Sequence, residues 1–116
     1  MAGTGPLDLV RETERGFFAL EWETGNISSS HRAVNKLCLG LLDQELIGGA
    51  LVVPSDNLYP YLTDRVGNYR ELRPYLLLWE QLPFKDGVLM LIAVEQDGLR
   101  EGVPRLPKGT DGRALI

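Results

Sequence analysis

At 116 residues the chain is long enough for one domain around a modest core and too short for two. Its 44% hydrophobic and 24% charged residues are ordinary for a globular protein, and no run approaches the roughly 20 apolar residues that span a bilayer. The net charge of −4 counts against a general phosphate binder, which is usually basic, but only mildly, because metal-binding carboxylates contribute negative charge themselves. Cys38 is the single cysteine, which excludes an intrachain disulfide, and with one histidine the chain cannot build a structural zinc site alone. The opening Met-Ala-Gly-Thr-Gly-Pro lacks the basic and apolar regions of a signal peptide, so the expected location is the reducing cytoplasm.

In chain order, the first apolar stretch is Leu7-Asp8-Leu9-Val10, followed by a polar run from Arg11 to Gly16. Phe17 to Glu23 then reads as a strand, ended by Gly25-Asn26. Strand side chains alternate with a period of two, so Glu21 and Glu23 share one side while Trp22 points to the other, expected to be the core. If Glu14-Arg15 closes a two-residue hairpin, Asp8 falls opposite Glu21 and points the same way. Three carboxylates so gathered repel one another, and a bound hard divalent cation is the natural remedy. The plainer alternative is that Glu21 and Glu23 form the solvated face of an edge hairpin.

Ile27-Ser28-Ser29-Ser30-His31-Arg32 carries N-cap residues, since serine hydroxyls accept bonds from first-turn amides. Val34, Leu37, Cys38, Leu41 and Leu42 follow at helical spacing and predict an amphipathic helix from about Ser29 to Leu46, ending at Gly48-Gly49. Ala50 to Val53 reads as a short buried strand stopped by Pro54. Ser55-Asp56-Asn57 caps a turn or short helix through Leu62. A further helix is expected from Asn68 to Leu82 with Tyr69, Leu72, Leu76 and Trp79 inward, and Pro74 must kink it or start a new one. Tyr59, Tyr61 and Tyr75 are read with that aromatic core. Val88 to Val94 is a continuous apolar run that suits a strand buried on both faces beside a parallel neighbour. The compact unit is placed at 1–98 and an extended tail at 99–116. The fold class is α/β: a mixed sheet, antiparallel hairpin plus parallel strands, flanked by helices.

Pro6-Leu7-Asp8, then twelve residues, then Glu21-Trp22-Glu23 resembles the PD-(D/E)XK nuclease superfamily, and within it restriction endonucleases of the BamHI and BglII kind. Their second motif ends in Glu or Gln where most relatives carry Lys, and a Gly-Asn pair can follow it, as Gly25-Asn26 does. The stretch from Leu62 to Tyr69 is also similar, and the likeness covers about residues 6 to 95. The chain departs by placing Leu7 between Pro6 and Asp8, and it begins almost at Asp8, without the N-terminal helix and DNA-reading regions of related enzymes.

The resemblance implies a restriction-endonuclease-like core and a Mg²⁺-dependent DNA endonuclease, with Mn²⁺ as an alternative metal. Asp8 and Glu21 would ligate the metal, and Glu23 would ligate it or take a proton from the attacking water. Asn26, Ser28, Ser29, Ser30, His31, Arg32 and Lys36 would contact DNA from the start of the helix, with Arg32 and Lys36 one turn apart. Each of them singly also fits ordinary capping or surface charge. Cutting both strands implies a homodimer. The competing expectation is a reduced, non-catalytic relative that serves as a DNA-binding or protein-interaction domain.

Overall fold

The computed structural model describes residues 7–23, 26–62 and 66–104. Two strands, β1 (Leu9–Thr13) and β2 (Gly16–Trp22), form an antiparallel hairpin whose register runs from Leu9 opposite Leu20 to Thr13 opposite Gly16. The loop is Glu14-Arg15, as its polar composition predicts. Thr13 ties it, its hydroxyl donating to the Gly16 carbonyl at 2.6 Å and accepting from the Arg15 amide at 3.2 Å. Carried one residue beyond β1, the same register sets Asp8 opposite Glu21.

Helix α1 spans Ile27–Leu42 and buries Ala33, Val34, Leu37, Cys38 and Leu41. Its cap differs from the expected serines: Asn26 stands at the N-cap, its side chain accepting from the Ser29 amide at 3.1 Å. The helix also ends earlier than expected, and Leu42 lies exposed. Gln44 adopts a left-handed φ of 62° that stops the helical path. The chain therefore enters β3 (Leu46–Pro54) four residues before the expected strand start. Gly48 and Gly49, read as a helix terminator, are strand residues at points of close approach. A Cβ on Gly48 would lie 2.6 Å from Phe18 Cδ2, and one on Gly49 would lie 2.9 Å from Leu37 Cδ2.

After a 3-10 turn at Tyr59–Tyr61, the expected helix from Asn68 to Leu82 is interrupted at its proline. It becomes α2 (Tyr69–Leu72), a 3-10 turn at Arg73–Tyr75 that contains Pro74, and α3 (Leu76–Glu80). Leu72 and Trp79 are buried and Tyr69 and Leu76 pack against them, but Tyr61 and Tyr75 are exposed and do not join the core. Strand β4 (Val88–Val94) runs parallel to β3.

Among the described residues the strands form one mixed sheet in the order β1-β2-β3-β4, antiparallel at the hairpin and parallel thereafter. The core lies between α1 and the sheet face that carries Ala19, Leu51 and Val53. Leu9, Trp22, Val88, Met90 and Ile92 lie exposed on the opposite face, so β4 is covered on one side only, where two were expected. Two of the neighbouring strand pairs being parallel does not by itself bring a second covering layer; what covers one face is α1. No helix among the described residues is long and apolar enough to cross a membrane. Residues 99–104 lie outside the strands and helices, and the rest of the expected tail lies outside the described residues.

Candidate active site

The end of the hairpin and the first turns of α1 enclose a cleft of about 430 Å³, lined by Asp8, Glu21, Trp22, Glu23, Ser29, Arg32, Ala33 and Lys36. Asp8, just before β1, turns its Oδ2 to accept a hydrogen bond from the Trp22 backbone amide at 2.9 Å. Glu21 points under α1 and is only 4% exposed. Trp22, expected in the core, is 53% exposed: the alternation along β2 holds, but α1 covers the acidic side. Glu23 is half-buried at the mouth, its amide donating to the Val52 carbonyl at 3.3 Å.

Burying a carboxylate disfavours its charge unless a partner compensates. Glu21 Oε1 is withdrawn from water, and the compensation is the Lys36 ammonium 2.8 Å away. Burial pushes the Glu21 carboxyl above its usual range, Lys36 pulls it back down, and the neighbouring Asp8 carboxylate raises it again.

Several expected DNA contacts fall elsewhere. Ser30 is fully buried, its hydroxyl reaching back to the Asn26 carbonyl at 3.5 Å, so it presents nothing to a ligand outside. Lys36 leaves the polar side of α1 for Glu21. His31 packs edge-on against Tyr75, with ring centroids 4.4 Å apart. Asn26, Ser28 and Arg32 are exposed, and Ser29 and Arg32 join the acids in the cleft. Arg65, which with Arg70 and Arg73 offers either a basic patch or a dimer rim in the sequence, lies outside the described residues. Sequence reasoning missed the Lys36–Glu21 pair. The available signal was that Lys36 lies three residues after Ala33, next to the core position Leu37, where helical spacing turns it toward the sheet.

Among the described residues no group of three or more His, Cys, Asp or Glu is drawn together closely enough to hold a metal ion. Asp8 and Glu21 do meet, and a lysine ammonium already stands as a cation against Glu21. Mg²⁺ commonly takes one or two carboxylates and completes its shell with water and substrate phosphate, so this hard-oxygen pair fits such an ion, with Glu23 on the same cleft.

A family model for the restriction endonuclease BamHI matches residues 1–113. The type II restriction enzyme OkrAI of Oceanobacter kriegii is 55% identical over 111 residues, which cover 96% of this chain and 57% of that protein. The type II restriction enzyme BamHI of Bacillus amyloliquefaciens is 42% identical over 112 residues, covering 93% of this chain and 50% of that protein. The chain thus spans about half the length of the curated relatives it matches. With a mixed sheet of the restriction-endonuclease-like α/β kind and a family match along nearly its whole length, the chain belongs to the BamHI restriction endonuclease family.

Proposed function

We propose that this chain carries the catalytic region of a divalent-metal-dependent DNA endonuclease, with Mg²⁺ as the metal and Asp8, Glu21 and Glu23 as its acids. The observation that carries the reading is the meeting of Asp8 and Glu21 in one polar cleft beside Glu23, Ser29 and Arg32. Family membership supports it, since both relatives are named as type II restriction enzymes.

Phosphodiester hydrolysis needs a deprotonated water and neutralised charge on the phosphoryl oxygens. A bound divalent cation supplies Lewis acidity to the phosphoryl group and lowers the pKa of water. Asp8 and Glu21 would hold the cation. Glu23, at the mouth, would accept the proton that the attacking water gives up as its oxygen bonds to phosphorus, while the bond to the sugar oxygen breaks and that oxygen takes a proton from solvent water. Arg32 and the Ser29 hydroxyl bind the phosphate and orient it toward that water. Asn26 and Ser28, exposed at the same end of α1, extend the contact along the DNA backbone. Cleavage of both strands calls for two such sites, supplied by a homodimer.

Supercoiled plasmid incubated with the wild type, Asp8→Ala or Glu21→Ala, with Mg²⁺ or EDTA, tests this reading. Nicking by the wild type with Mg²⁺ alone, lost in both variants, is the expected result; equal nicking in every sample would sink it. The second reading, a non-catalytic DNA-binding or protein-interaction domain, is favoured by the lack of a tight three-acid cluster among the described residues. It expects DNA retention without nicking in any metal.

A further inference from the structure

Lys36 has a position that neither phosphate binding nor simple surface charge explains. Its ammonium lies 2.8 Å from Glu21 Oε1, and both side chains are largely withdrawn from water. The backbone of Lys36 is held in α1 between buried neighbours, Ala33 one turn before and Leu37 immediately after. Only its flexible four-carbon stem can move, and the space beside it is the cleft that holds Arg32 and Ser29.

We propose that Lys36 is the resident counter-ion of the Glu21 carboxylate and competes with a divalent cation for it, so that metal enters by exchange and releases the ammonium into the cleft. This rests on the metal-dependent reading above. A cation bound directly to Oε1 needs an approach of about 2.0–2.6 Å, and an ammonium in contact with the same oxygen obstructs it sterically and repels it by charge. Exchange leaves no buried charge unpaired, because one cation replaces another on Glu21 while the lysine head gains water. The released ammonium then joins Arg32 in the part of the cleft where a phosphate is to bind. Loading of the metal and affinity for the anion are thereby coupled through one side chain. The pair also keeps the buried carboxylate ready for a metal.

The experiment is calorimetric titration of the whole chain with Ca²⁺, at a pH well above the carboxylate range, for wild type, Lys36→Met and Lys36→Arg. Removal of the competitor is expected to tighten Ca²⁺ binding about tenfold in Lys36→Met, the scale of an opposite charge acting on a neighbouring carboxylate. Lys36→Arg should stay near the wild type. Binding only in Lys36→Met would show a lysine that blocks the carboxylate without leaving it, and would overturn the exchange. Equal or weaker binding in Lys36→Met than in a wild type that does bind overturns the exchange and leaves the metal site standing. No binding in any protein overturns both the exchange and the metal-dependent reading. Should Lys36→Met fail to fold, the wild type decides. The chain has three lysines, Lys36, Lys85 and Lys108, so ¹³Cε-labelled lysine gives few NMR signals. The Lys36 signal should move toward that of a solvated lysine as Ca²⁺ is added; a signal that stays in place overturns the proposal.

Discussion

Asp8 Oδ2 accepts a hydrogen bond from the backbone amide of Trp22 at 2.9 Å, which ties the first acid of the cleft to the peptide immediately after the second. A carboxylate held by a backbone amide keeps its place without depending on another mobile side chain.

Asp8→Asn should therefore separate charge from position. The amide oxygen can still accept from Trp22, while the negative charge needed beside Glu21 is gone. Denaturant stability is expected to stay within about 1 kcal/mol of the wild type, as for loss or weakening of an exposed hydrogen bond. Mg²⁺-dependent plasmid nicking is expected to fall by about a hundredfold or more. Urea melts and nicking rates on the same preparations check both halves.

Glu21 makes stability depend on pH in a definite direction. Its folded carboxyl titrates above the ordinary value of 4.5, chiefly because it is buried, so the folded chain holds this proton more tightly than the unfolded one. The resulting contribution is fully present below 4.5, declines as pH rises through the raised value, and is constant above it. Relative to Glu21→Gln, the wild type should lose stability across that window and then level off. Urea midpoints of the two proteins across pH measure the difference, and a flat or rising difference would contradict the assignment. Ca²⁺ binding should run the other way, lost as pH falls and Glu21 takes up its proton.

Gly67 packs against the first turn of α1, where an added Cβ would strike the Ser30 hydroxyl and come within 3.2 Å of Ile27 Cα. Gly67→Ala must push the helix start outward, at an expected cost of about 1–3 kcal/mol. Ser30→Ala removes the nearer obstacle but not the backbone contact. The double variant should recover part of the loss, and a double-mutant cycle by denaturant unfolding reads the coupling.

Burial pushes the Cys38 thiol up to about 11, which keeps it protonated and away from reagents. Ellman's reagent at neutral pH should leave the native chain unlabelled and titrate one thiol once urea unfolds it. Rapid labelling of the folded protein would contradict the packing of α1 on the sheet.

Local regularities carried much of this structure. A polar six-residue run with its two-residue loop at Glu14-Arg15 determined the hairpin register, and that register alone placed Asp8 opposite Glu21. The apolar spacing from Val34 to Leu41 determined which side of α1 would be buried, and Pro74 determined where the later helix would break. Strand alternation likewise required Glu21 and Glu23 to face away from Trp22. Alternation divides a strand into two sides but does not say which one is covered. That was decided when α1 packed over Ala19 and Glu21, leaving Trp22 in solvent and burying an acid. Burial then created the need for a counter-charge, and Lys36 met it across 15 positions of sequence. The helix spacing limited which side chains could reach the sheet, but desolvation in the assembled fold selected the pair.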